Sequence, residues 1–412
     1  MKLETTDVTV IGAGPSGTTV AALLHQAGWN VVILEKETFP RFSIGESLLP
    51  QCMTVLEEAG LLNDLNAHAE SLGFQKKNGA VFRRADECSS FDFTQKSCEG
   101  PGTTFEVKRA DFDNLLAESV SELGVDIRYA HKVLDIDADS TKPILTVLNS
   151  NQSRYQIQSR FILDASGFGR VLPRLLDLEA PSSFPVRQSV FCHIKDNIVS
   201  SEYDREKILI VIHPKKKDIW YWLIPFSDGT ASVGVVGKRE YFDDTKSTEE
   251  LFKEFISQEP NLRELLNDSE MVTDTRTICG YSADVKSLTG PNYLLLGNAG
   301  EFLDPVFSSG VTIAMKSSSL AAKCVDKYLR DEAVCFQTEF AEPLKEGVEC
   351  FKSFVELWYE GGLHDIFFYE DQDAHIKKMI CSVLAGYAWD EKNPYASMSR
   401  KRLNVLAELC AN

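Results

Sequence analysis

A chain of 412 residues, 43% hydrophobic and 25% charged, has enough apolar material for one large domain or two interlocked ones. Its formal net charge of -18 argues against nucleic acid and anionic membrane surfaces, both of which are bound by basic faces. No apolar run reaches the roughly 18 residues of a membrane span, no leader is visible in the first residues, and the ten cysteines show neither a CxxC pair nor zinc spacing, so a cytoplasmic protein with reduced thiols and no metal is expected.

Asp7 to Ile11 is a short, β-rich apolar run ending at a glycine. Thr18 to Gly28 carries apolar residues at helical spacing (Val20, Leu23, Leu24, Ala27). Asn30 to Leu34 reads as a second buried strand ending at Glu35. These predict a βαβ unit at the start of the chain. Ala110 to Leu123 reads as a helix, and Arg160 to Asp164 as a strand leading into Ala165-Ser166-Gly167. Ser189 to Ile194, Ile208 to His213, Asp218 to Pro225 and Thr230 to Gly237 are strand-like and separated by turn residues. Tyr293 to Leu296 is another buried strand, followed by a Gly-rich turn and a helix over Gly310 to Tyr328. From about Val334 the pattern is helical and aromatic. The expected fold is α/β: a Rossmann-like nucleotide-binding domain, an interleaved β-sheet substrate domain (an α+β insert) and a C-terminal helical region. The nucleotide domain is expected at residues 1–73, 109–185 and 285–330. The substrate domain is expected at 74–108 and 186–284, and the helical region at 331–412.

Gly12-Ala13-Gly14-Pro15-Ser16-Gly17 falls between the first strand and helix, where a dinucleotide fingerprint belongs. Gly12 permits the tight turn, Gly14 lets the backbone approach a pyrophosphate, and Gly17 permits close helix–strand packing. The helix start, with Pro15 and Ser16, stabilises the anion. Glu35 ends the second strand and is placed to accept hydrogen bonds from an adenosine ribose. Lys36 and Arg41, just downstream, complete this set of cofactor contacts.

Gly297-Asn298-Ala299-Gly300-Glu301-Phe302-Leu303-Asp304-Pro305 resembles the GDA-x-x-x-x-DP segment of the FAD-dependent monooxygenase superfamily. Val107-Lys108-Arg109-Ala110-Asp111-Phe112-Asp113 resembles its R-x-x-F-D segment. The resemblance makes the cofactor FAD and assigns Asn298, Asp304 and Arg109 to it. Asn298 stands where the family has an acidic residue on the ribityl chain, and an amide is a weaker, uncharged acceptor.

Four further segments resemble the flavin-dependent halogenases. Trp220-Tyr221-Trp222-Leu223-Ile224-Pro225 matches WxWxIP, and Phe302-x-x-Pro305-x-x-Ser308-x-Gly310 matches FxxPxxSxG. Gly45-Glu46-Ser47-Leu48-Leu49-Pro50 matches GES-x-x-P. Phe74 to Phe82 resembles the segment carrying the family's essential lysine, at the position of Lys77. Strand alternation puts Lys76 and Lys77 on opposite faces. The resemblance runs from residue 7 to about residue 325.

It implies the following. A separate flavin reductase supplies FADH2. With O2 and chloride or bromide the flavin yields hypohalous acid. This crosses a tunnel to Lys77 and halogenates an electron-rich aromatic substrate. Trp220, Trp222, Ile224, Pro225, Phe302, Pro305, Phe307 and Ser308 wall the flavin and tunnel. The amides of Ser309 and Gly310 hold the halide. Ser47, Gly310 and Val311 join the cofactor contacts, and Glu46 holds the lysine. Ser308 also suits a helix cap. Tryptophan halogenases carry a catalytic glutamate at the position of Phe307, so the phenol and pyrrole branch fits better. Some of that branch act on substrates tethered to acidic acyl carrier proteins. His213-Pro214-Lys215-Lys216-Lys217 and Arg400-Lys401-Arg402 are the basic stretches available to such a carrier. The rivals are an aromatic hydroxylase or prenyl reductase on the same fold, and a flavin-binding homologue without turnover.

Overall fold

A computed structural model describes residues 2–138, 142–200 and 203–411. Its first sheet is built around apolar stretches buried on both faces, Val31–Leu34, Tyr293–Leu295 and the ends of Leu3–Ile11 and Arg154–Asp164, which is how parallel strands read. Tyr293–Leu295, Arg154–Asp164, Leu3–Ile11, Val31–Leu34 and Asp126–Arg128 lie side by side in that order, all parallel. An antiparallel hairpin, Lys132–Asp137 and Ile144–Leu148, extends Arg154–Asp164 at one end. The first strand starts at Leu3 rather than Asp7 because its polar beginning pairs with Gln156 to Ser159. The first helix spans Pro15–Gln26, three residues earlier than its apolar spacing predicts. Proline at the first helical position sacrifices only an N–H that has no partner there.

The second sheet is mostly antiparallel and holds the middle block. Glu270–Met271, Arg187–Lys195, Thr230–Lys238, Trp220–Pro225, Lys207–Ile212, Gly79–Arg84 and Glu87–Asp92 follow in that order. Gly79–Arg84 comes from far upstream and runs parallel to Lys207–Ile212. Period-2 alternation divides this sheet between two cores. Trp220, Trp222 and Ile224 face the main core, while Tyr221 and Leu223 face a smaller core beneath the helix Thr248–Gln258. A separate two-stranded ladder pairs Gln75–Lys77 with Thr104–Glu106.

The helix Ser309–Leu329 lies against Pro15–Gln26. The tail follows as Glu342–Glu360, Gly362–Phe367, Ala374–Leu384 and Ser399–Cys410. Phe351, Phe354 and Trp358 are buried in the main core. No helix among the described residues is long and apolar enough to cross a membrane.

Candidate active site

Three βα junctions and the second sheet enclose an open cleft of about 290 Å³. Gly12, Gly14, Pro15 and Ser16 line one end, with Glu35, Lys36 and Arg41. Gly12 has φ +99°, and a Cβ there would lie 2.6 Å from the Ala165 carbonyl oxygen. Gly17 lies behind the cleft, where a Cβ would meet the Gly12 carbonyl oxygen at 1.9 Å. At Gly14 the nearest atom to such a Cβ is an Arg41 nitrogen at 3.5 Å, so that backbone is open to a ligand.

Glu35 is buried and fixed. Its Oε2 accepts from the Ala13 amide at 2.9 Å and its Oε1 from the Glu37 amide at 3.0 Å. Each oxygen keeps a lone pair for a ribose hydroxyl. Glu35→Gln turns one of these acceptors into a donor facing an N–H. FAD affinity should fall roughly tenfold, equivalent to one hydrogen bond, measured by flavin fluorescence quenching.

Asp113, fully buried, orients two arginines at the cleft. Arg109 donates to both of its oxygens (2.8 and 3.1 Å), and Arg41 donates to Oδ2 at 3.0 Å. Arg109 also donates to the Ile44 carbonyl at 2.6 Å, so it braces the loop before Glu46 while lining the cleft. Asn298 lines the cleft from the turn Gly297–Ala299. Two residues that the motifs did not flag hold this region. Asp164 accepts from the Ser166 and Leu172 amides. Arg170 donates to the Gly300 and Asp284 carbonyls. Their signal was the aspartate before Ala165-Ser166-Gly167 and the arginine just after it.

The far end of the cleft is aromatic. Trp220, Trp222 and Ile224 line it with Phe302, Pro305, Ser308, Gly310 and Val311. Gly234, opposite Trp222 on the next strand, leaves room for the indole, whose ring atoms come within 2.3 Å of where a Cβ would stand. Trp220 is anchored from the tail: its Nε1 donates to the Tyr359 hydroxyl at 3.0 Å.

Several expectations need correcting. Asp304 does not line the cleft. Its Oδ1 caps the turn Pro305–Phe307 through the Val306 amide, and its Oδ2 accepts from the Tyr359 hydroxyl at 3.0 Å. Burial raises its carboxyl to about 6, opposed by the nearby Arg187 charge. Ser308 makes no side-chain cap: it has φ +55°, a left-handed turn into the helix. The Ser309 side chain is buried, while Gly310 lines the cleft, so any halide role of Ser309 falls to its backbone amide. Pro225 is held at the strand end opposite Ala231, outside the cleft lining. Phe307 also turns away from the cleft and packs against Phe82, Phe354 and Trp358.

Lys77 is 1% exposed, while Lys76 beside it is exposed. Its Nζ donates to the Ser47 hydroxyl at 2.6 Å and to the Leu48 carbonyl at 2.9 Å. Burial pulls the amine down from its ordinary 10.5 to about 8, opposed by the Glu106 charge. Ser47 itself lines the cleft, so the amine is hydrogen-bonded to a residue of the cleft wall. Glu46 does not hold Lys77. Its Oε1 lies 2.6 Å from His193 Nε2, because alternation turns Glu46 and Ser47 to opposite sides. The carboxylate that senses Lys77 is Glu106.

The FAD binding domain family matches residues 5–334, four-fifths of the chain. The 1H-pyrrole-2-carbonyl-(peptidyl-carrier protein) chlorinase of Pseudomonas fluorescens is 28% identical, over 98% of this chain and 92% of its own. The chain belongs to the flavin-dependent halogenases of the FAD-binding-domain family. Among solved structures, a flavoprotein/dehydrogenase from Cytophaga hutchinsonii is 42% identical with a TM-score of 0.94, over 99% of both chains. The myxobacterial chondrochloren halogenase CndH is 27% identical with a TM-score of 0.76, over 99% of this chain and 97% of its own. FAD is the cofactor that the family brings, and the glycine cradle, the fixed Glu35 and the paired arginines fit it.

Proposed function

We propose that this chain is an FADH2-dependent halogenase that uses O2 and chloride or bromide to halogenate an electron-rich aromatic ring at Lys77. The observation carrying the reading is the buried Lys77 amine, held by a serine of the cleft and drawn toward neutrality by burial. Bound flavin supplies the oxidation of halide to hypohalous acid. The chain's own residues do the rest. Gly12, Gly14 and Gly17 with Glu35 seat the adenosine diphosphate half. The amides of Ser309 and Gly310, at the start of a 21-residue helix, offer an anion site for halide. Trp220, Trp222 and Ile224 keep the aromatic substrate off the flavin. Lys77 receives the oxidant by hydrogen bonding or as a haloamine and directs it to one ring carbon. A free hypohalous acid is unselective, so a single buried donor sets the regiochemistry.

The reading includes a separate flavin reductase and a phenol or pyrrole substrate. Phe307 offers no carboxylate, so the ring must be activated by its own heteroatom. The carrier-tethered pyrrole acted on by the Pseudomonas relative favours a tethered substrate here. Arg400 is tied to Glu356 and Glu360, whereas Lys215, Lys216 and Lys217, with Lys401 and Arg402, are exposed and would meet an acidic carrier.

The test supplies the protein with FAD, a flavin reductase, NADH and bromide or chloride, and offers phenols, pyrroles and pyrrolyl carrier proteins. Mass spectrometry should find halogen isotope patterns in a product. Oxygen insertion alone would support the hydroxylase reading. Reduction of a double bond would support a reductase, in keeping with the dehydrogenase name of the Cytophaga protein.

A further inference from the structure

In the ladder of Gln75–Lys77 with Thr104–Glu106, Lys77 pairs with Thr104 and Gln75 with Glu106. Alternation therefore puts Lys77, Thr104 and Glu106 on one face. The Ser47 segment runs antiparallel alongside, with Ser47 bridged to Glu106. Three lines of backbone thus bring Lys77, Ser47, Thr104 and Glu106 to one buried place. Thr104 is 2% exposed and Glu106 0%. Thr104 Oγ1 and both carboxyl oxygens of Glu106 have no hydrogen-bond partner. Buried polar oxygens are almost always paired, because an unpaired one keeps the full cost of losing water. Three together, beside a buried amine, mark a place that takes hydrogens from something else.

We infer that Glu106 is the base that receives the ring proton released on halogenation and returns it to Lys77. The inference rests on the halogenase reading above. Substitution forms the carbon–halogen bond and breaks the oxygen–halogen bond of hypohalous acid. The leaving hydroxide takes a proton from the Lys77 ammonium and departs as water. The ring C–H bond then breaks, its electron pair restores aromaticity, and its proton goes to a Glu106 oxygen. Passage of that proton to the Lys77 amine resets the pair. Arene and hypohalous acid become haloarene and water, with no other reactant. Phe307, packed among rings, offers no base. Burial lowers the amine and raises the carboxyl, so their proton affinities converge and transfer between them is easy. Arg205, Glu46, Asp204 and Tyr203 also bear electrostatically on this pair.

The experiment uses the full chain with FAD, a flavin reductase and bromide, and a phenol in ordinary and ring-deuterated form. Glu106→Gln should lose roughly 100-fold in haloarene formation, the usual contribution of a positioned base. Halide oxidation, read with a soluble 1,3-diketone trap, should stay at the wild-type rate. A ring-deuterium isotope effect absent from wild type should appear, and Glu106→Asp should recover part of the rate. By nitrogen-15 lysine NMR, the Lys77 midpoint should fall in Glu106→Gln, because the negative charge that raises it is gone. If Glu106→Gln fails to fold, the isotope effect and rate loss are read in Glu106→Asp. Wild-type rate without an isotope effect, or an unmoved Lys77 midpoint, overturns the role of Glu106 alone. A wild-type protein that halogenates nothing overturns the function and this role together.

Discussion

Lys77→Met is expected to end haloarene formation, by roughly 1,000-fold or more on the scale of a lost acid–base group, while flavin reoxidation and halide oxidation continue. Methionine is close to lysine in length and fills the same buried volume, so the ladder and the Ser47 segment stay in place. What disappears is the one amine that donates to Ser47 and Leu48. Product is read by mass spectrometry, and escaping oxidant by the diketone trap. Normal haloarene yield from Lys77→Met would remove the amine from the mechanism. The same variant should be more stable than wild type at pH 7. In the folded chain the amine loses its proton at about 8 instead of 10.5. Between those values the unfolded chain holds a proton that the folded chain does not, so wild-type stability rises with pH across that window. Below it, the cost of the buried amine is complete. The advantage of Lys77→Met should therefore narrow as pH climbs from about 8 to 10.5, as judged from denaturant midpoints.

Gly17→Ala should abolish FAD binding. A Cβ at Gly17 would stand 1.9 Å from the Gly12 carbonyl oxygen and 3.0 Å from its carbon. Both are backbone atoms of the turn that opens the cleft, so no side-chain rotation relieves the clash. The helix Pro15–Gln26 must move off the strand Leu3–Ile11, taking its N-terminal amides away from the pyrophosphate. Overpacking of this kind costs ~1–3 kcal/mol or more, and the purified protein should be colourless and lower-melting. Gly28→Ala is the control: its Cβ would meet no atom within 4 Å, so it carries only the backbone strain of a positive φ (+95°), which Gly17 does not have, and none of the overpacking. It should keep flavin.

The elements with strong local patterns were legible in the sequence. The βαβ start, the helix over Arg109–Glu122 and the four middle strands were expected within a few residues of their observed bounds. Lys77 was separable from Lys76 because a period of two sends neighbours to opposite faces. The errors lie where a residue's direction depends on a distant partner. Asp304 reads as a cofactor contact in its motif, yet Tyr359, 55 residues later, draws its carboxylate the other way. Glu46 reads as the lysine's partner, but His193 takes it. Glu106 carries no motif signal beyond its place beside Arg109. Its proximity to Lys77 exists only because two three-residue strands pair.

The sequence by itself determined the cofactor cradle and the family, because glycine spacing and the WxWxIP and FxxPxxSxG segments are local constraints on backbone and ring packing. Only the tertiary structure decided what stands around Lys77. That amine's partners, Ser47, Leu48 and Glu106, come from separate stretches of chain. Its loss of water comes from layers of packing that no local pattern encodes.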